Sequence, residues 1–147
     1  MSPWINIVLI VPALIIAGTI LLIRVKGKLE NKVFLYRHEG IILQTSLTLF
    51  RIRNHSGVRR MSLGLALLTA ERLIVFDWKQ KAVFECEFQS STHGEEKNCK
   101  LHPNPKKNHI AVHCTCGNLD REITMSVRNA DAWRLEFSRL CSYESSE

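Results

Sequence analysis

The chain opens on an uncharged apolar run from Ile5 to Ile23, and Arg24, Lys26 and Lys28 follow at once. About 19 residues at a rise of 1.5 Å per residue match a hydrocarbon core of about 30 Å. A helix that is apolar all round has no solvent-facing side, so the run restricts the fold more than any other feature. Trp4 stands at its outer end, where an indole favours the headgroup interface. The basic residues crowd only the other end. The positive-inside rule then puts everything after Arg24 in the cytoplasm and a short uncharged N-terminus outside. Residues 1–24 thus read as a transmembrane anchor. A cleaved secretory signal has a basic n-region, a shorter apolar core and a small-x-small site. Met1-Ser2-Pro3 carries no Lys or Arg, and no such site follows the run. Asn6, Pro12 and Gly18 are tolerable in a spanning helix, and Pro12 removes one backbone donor.

Beyond the anchor, roughly 110–120 residues suffice for one compact domain. Five cysteines are an odd count. That needs no explanation in a reducing compartment but would leave one thiol over in a secreted domain. The net charge of +6 includes the juxtamembrane cluster. The rest suits an anionic membrane surface or an acidic partner. No recognition motif supports nucleic acid.

Residues 25–39 read as a juxtamembrane connector. Leu29, Val33 and Tyr36 fall at i, i+4 and i+7, so a helix running on past the membrane fits them. From Gly40 the period changes to two. One long strand is expected over residues 40–53, then a turn at Asn54-His55-Ser56-Gly57. Further strands are expected at residues 61–69, 72–78, 82–88, 109–116 and 121–128. A short one is expected around Cys99–Leu101, inside an otherwise polar segment over residues 89–108. Gly117-Asn118 is a hairpin turn signal. Phe84, Cys86 and Phe88 share one face, as do Ile110, Val112, Cys114 and Cys116, and again Ile123, Met125 and Val127. Asn129-Ala130-Asp131 starts a helix in which Trp133, Phe137 and Leu140 recur at i, i+4 and i+7. Arg134, Glu136 and Arg139 fall on its outer side. Residues 143–147 are a polar tail. The expected fold is a single N-terminal transmembrane helix plus a mainly-β domain over residues 40–142, with about six or seven antiparallel strands and a C-terminal capping helix.

That order, with the segment Leu67-Leu68-Thr69-Ala70-Glu71-Arg72-Leu73-Ile74-Val75-Phe76, resembles the pleckstrin-homology-like (PH-like) superfold. The segment looks most like the strand-turn-strand signature of GRAM and bacterial PH domains, in which a Leu-Thr turn precedes Arg-Leu-Ile and an aromatic residue. The resemblance spans residues 39–141. Lipid-binding PH domains use basic residues around their first hairpin loop. The resemblance therefore assigns Arg51, Arg53, Arg59 and Arg60, with His55 between them, to a lipid- or partner-binding site. Arginine forks match phosphate oxygens. The same charges also serve as a solvated strand end that discourages edge pairing.

Cys99-x-x-His102 and Cys114-x-Cys116, flanked by His109 and His113, offer enough ligands for tetrahedral zinc. Yet Cys114 and Cys116 share a face with Ile110 and Val112, and buried cysteine is an ordinary small core residue. Core packing without a metal or cofactor is the expectation. Glu85 and Glu87 lie on one strand face without a catalytic partner. His93 and Asp120 have none evident either. No nucleophile elbow, phosphate loop or zinc-protease helix occurs. The sequence thus leads to a non-enzymatic, membrane-anchored adaptor, scaffold or accessory subunit, partnered by the bilayer and by an integral membrane protein or complex. The alternative is a module that senses anionic lipid through the arginine hairpin.

Overall fold

The computed structural model describes residues 3–57, 59–88, 97–102, 106–116 and 119–142. The Gly117-Asn118 turn, His93 and the 143–147 tail lie outside the described residues, as do the side chains of Trp4, Ile5 and Cys116. Helix α1 (Pro3–Leu35) is a single helix of 33 residues that continues through Pro12. Within Val8–Leu35 an 18-residue window has a mean hydropathy of 2.6, and the helix is long and apolar enough to cross a bilayer. Among the described residues, nothing buries that 18-residue window.

The helix does not stop at the basic cluster. It runs over most of the expected connector and buries Leu29 and Val33, with Val25 and Tyr36 half-buried beside them. The i, i+4, i+7 stripe is therefore a docking stripe. A 3-10 turn at Arg37–Glu39 follows, and Gly40, at φ +69°, redirects the chain into the sheet. Glycine suits that left-handed position because it has no Cβ to clash.

The sheet contains β1 (Ile41–Gln44), β2 (Thr48–Asn54), β3 (Arg59–Thr69), β4 (Arg72–Asp77), β5 (Ala82–Glu87), β6 (Lys97–His102), β7 (His109–Cys116) and β8 (Leu119–Ser126). The spatial order is β5-β4-β3-β2-β8-β7-β6, with β1 also pairing β3. Every pairing is antiparallel. The single long strand expected over residues 40–53 is in fact two. Buried Thr45 separates them: its Oγ1 accepts from Ala66 N at 2.8 Å while its own N donates to Ala66 O at 2.9 Å. A side chain takes the place of a ladder carbonyl, and among the described residues the sheet has eight strands where about six or seven were expected.

From Leu65 to Thr69 β3 is buried on both faces, as is β4 from Leu73 onward. Ala66, Leu68, Leu73 and Val75 join the larger core, which includes Phe50, Phe84, Ile110, Ile123 and Met125. Leu65, Leu67, Ile74 and Phe76 face the other way and pack with Leu29 and Val33 of α1. Strands covered on both sides are spelled as continuous apolar runs, which is how residues 65–68 and 73–76 read. At Gly64 a Cβ would overlap the Phe76 carbonyl oxygen and sit 2.6 Å from Phe50 Cε1, so only glycine fits.

Helix α2 (Ala130–Ser142) covers the larger core. Asn129 caps it, its Oδ1 accepting from Ala132 N at 3.3 Å. Trp133 and Phe137 are buried, and Phe137 meets Phe88 edge-on at 5.1 Å. Arg134 is less free than its outward position implied: it donates to His109 O at 3.0 Å and to Asp131 Oδ1 at 2.9 Å. Trp133→Ala should destabilise the domain by about 3–5 kcal/mol, the range for deleting a large buried aromatic. Chemical denaturation checks this, and an unchanged midpoint would remove α2 from the core.

Candidate functional site

The arginine hairpin is formed by β2 and β3. Arg53 lies opposite Arg59, Arg51 opposite Met61, and Ile52 opposite Arg60. Opposed residues share a sheet face, so Arg51, Arg53 and Arg59 stand together, with Leu49 and Met61 exposed among them. Arg60 is on the other face, 3.7 Å from Asp77 Oδ2. The residues expected to act together are therefore split. Asp77 itself is buried and structural. Its Oδ1 accepts from Lys79 N at 3.0 Å and Lys81 N at 2.9 Å, closing the turn in which Gln80 has φ 64°.

The arginine face continues onto β8, where Glu122 is opposite Arg53 and Thr124 opposite Arg51. There it forms an open depression of about 310 Å³ lined by Arg53, Asn54, His55, His113, Asp120 and Glu122. His113 Nε2 contacts Asp120 Oδ1, and His55 Nδ1 lies 3.9 Å from Asp120 Oδ2. The sequence did not connect His113, Asp120 or Glu122 to the hairpin, because their proximity depends on the β2–β8 pairing. Two carboxylates on this rim disfavour an anion there. Arg51 and Arg59 face solvent with no carboxylate within ion-pair distance among the described residues. An anionic or acidic ligand therefore meets the hairpin through these two and the outer side of Arg53.

A second charged constellation ties α1 to the sheet. Thr69 Oγ1 accepts from Glu71 N at 3.3 Å and Arg72 N at 3.1 Å, and donates to Arg72 O at 3.1 Å. This shapes the Thr-Ala-Glu turn and aims Arg72 across the sheet. Arg72 donates to Glu39 through Nε, at 3.0 Å, and through a second guanidinium nitrogen. It also donates to Glu85, and its Cζ lies 5.7 Å from the Tyr36 ring centre. Hydrogen bonding from Arg72 holds the Glu39 carboxyl below its ordinary range against an opposing effect of burial; the charges of Arg72 and His38 add to the lowering. The Arg72 guanidinium is held correspondingly more firmly in its charged form. Glu39 left no signal in the sequence, since the pair is 33 positions apart.

On α1, Ile23, Arg24, Lys26 and Lys28 are exposed, and Lys26 Nζ is 3.8 Å from Glu30 Oε1. The cysteines gather differently from the expected set. Strand alternation puts His102 on the face opposite Cys99, whereas Cys86 of β5 joins Cys99 and Cys114. Cys86 and Cys99 are joined as a disulfide. Cys114 Sγ is 2.6 Å from Cys86 Sγ and 2.8 Å from Cys99 Sγ.

No family model and no curated protein matches this chain. Among solved structures it is similar in fold to Vav1 inhibited by an allosteric inhibitor, with a TM-score of 0.50 and 12% identity. The match covers 76% of this chain and 29% of the Vav1 chain. At that identity the likeness concerns the mainly-β fold alone.

The Glu39–Arg72 pair predicts an acid-sensitive step. A carboxyl held below its ordinary value of 4.5 contributes stability that is complete above that value. The contribution is lost as pH falls through the lowered folded-state value. Glu39→Gln should cost about 1–2 kcal/mol at neutral pH and flatten the decline of melting temperature below pH 4.5. Parallel acid profiles for the two proteins would show no steeper loss in the wild type if the pair contributes nothing.

Proposed function

We propose that this chain is a non-enzymatic single-pass membrane protein. It mounts a PH-like domain on the cytoplasmic side and serves as an adaptor, scaffold or accessory subunit of a membrane complex. One observation carries this reading. The helix that supplies the apolar run is the same unbroken helix that buries Leu29 and Val33 in the domain. Anchor and domain are thus one structural unit, and recruitment to a membrane needs no headgroup affinity. The likeness to Vav1, a PH-containing protein, supports the PH-like reading, as does the strand-turn-strand segment around Thr69. The exposed face carrying Leu49, Met61, Arg51, Arg53 and Arg59 combines apolar and basic groups, a composition suited to an acidic protein partner.

A second reading has its own support. Arg53 directly opposite Arg59 places like charges together, and Glu122 beside Arg53 offsets only part of them, leaving Arg51 and Arg59 open to an anion. An anionic lipid surface would supply one. The two readings separate on a soluble fragment of residues 25–142, which keeps Leu29 and Val33. The adaptor reading expects weak, salt-sensitive binding to phosphatidylserine vesicles, without headgroup selectivity. Each of Arg51, Arg53 and Arg59 should contribute about 1 kcal/mol. Tight binding to one phosphoinositide, abolished by Arg53→Ala with Arg59→Ala, would replace the adaptor by a lipid sensor.

Orientation has an internal reporter. Asn54-His55-Ser56 is a glycosylation sequon, and Asn54 is exposed at the end of β2. In a glycosylating secretory membrane Asn54 should stay unmodified. A glycan there would reverse the topology.

A further inference from the structure

The two outermost strands of the sheet, β5 and β6, have no ladder partner on their outer sides among the described residues. The sheet curls until these edges approach, and what meets across the seam is sulfur. Cys86 comes from β5, Cys99 from β6 and Cys114 from β7, opposite Cys99 in register. The three Sγ atoms lie within 4.8 Å of one another. Cys86 and Cys114 are buried, and Cys99 is half-buried.

A two-cysteine bridge does not account for this arrangement. The Cα atoms of Cys86 and Cys99 are 7.1 Å apart, beyond the roughly 4.4–6.8 Å that disulfides usually span. The third sulfur lies nearer to both than non-bonded sulfurs pack, and a disulfide gives it no role. Three convergent thiols from three strands are what a soft cation requires. Thiolates select zinc and cuprous ions over hard cations. Three protein ligands leave either a trigonal site or a tetrahedral one with an open fourth position, and the partial exposure of Cys99 puts that position at the surface side.

We propose that reduced Cys86, Cys99 and Cys114 form a three-thiolate site for a thiophilic d10 ion, zinc or cuprous, that staples the open seam of the sheet. A thiol or phosphine reductant first supplies two electrons and two protons to open the Cys86–Cys99 disulfide to two thiols. Loading then converts three thiols and one cation into three metal–sulfur bonds and releases three protons, with no further electron transfer. The site is distinct from the Cys99/His102/Cys114/Cys116 set that spacing alone suggests. It does not rest on the adaptor reading, because a sheet closed by metal serves any function the domain has. Binding only the folded state, the ion raises stability by mass action.

The test uses the full chain purified in mild detergent with a phosphine reductant. Zinc, cuprous and cobalt ions are the probes. One equivalent of zinc or cuprous ion per chain is expected, with proton release on loading and a lower melting temperature after chelation. Competition between the two ions identifies the preferred one. The cobalt form should show a thiolate-to-metal charge-transfer band. Cys99→Ser and Cys114→Ser should each weaken binding at least tenfold and remove that band, while Cys141→Ser leaves both unchanged. Cys99 is half-buried, so Cys99→Ser keeps the test readable if Cys114→Ser unfolds, with Trp133 fluorescence reporting the fold. Failure to retain either ion after reduction overturns the proposal, as does unchanged affinity in Cys99→Ser. So does a Cys86–Cys99 disulfide that survives the reductant.

Discussion

Burial of β3 and β4 on both faces is the constraint around which the rest is arranged. Leu65, Leu67, Ile74 and Phe76 need a cover on one side, and Ala66, Leu68, Leu73 and Val75 need one on the other. α2 and the curled sheet cover the second set. α1 covers the first through Leu29 and Val33, with Tyr36, Ile41 and Leu47 packed beside them. The membrane-length helix is therefore also a component of the core. Removing α1 through Leu35 would take Leu29 and Val33 with it and partly uncover four large side chains, each contributing about 1.5–3 kcal/mol when fully buried.

The same constraint accounts for the polar devices nearby. Gly64 lets Phe76 and Phe50 approach the strand pair where it begins to be covered on both sides. Thr69 gathers the backbone groups of the β3–β4 turn, and Arg72 reaches back to Glu39 just after α1. Arg72 thus closes the circuit from helix to turn to sheet. Its segment, read in the sequence as a family-like strand-turn-strand signature, owes that spelling to two-sided burial and to this clamp.

How much was legible in the sequence follows from the range of each interaction. α2 was legible because Trp133, Phe137 and Leu140 are neighbours on one helix face. The docking stripe Leu29, Val33, Tyr36 was legible for the same reason. The split between β1 and β2 was not, since Thr45 acts on Ala66, 21 positions away. The depression at His113, Asp120 and Glu122 depends on β2 pairing β8, and the sulfur seam depends on the curl that brings β5 to β6. Periodicity reports which face a residue takes. It does not report which distant strand supplies the neighbour.

An unbroken helix shared by a membrane-length segment and a domain has a geometric consequence. Each helical residue advances about 1.5 Å and turns about 100°. One residue added to α1 between Ile23 and Leu29 would swing the domain by about that angle around the helix axis. The face bearing Arg51, Arg53 and Arg59 would point in a new direction, although no contact within the domain had changed. The length of α1 thus acts as an angular setting. Conversely, a partner that rolls the apolar segment about its own axis would turn the displayed face with it, as a shaft turns a key.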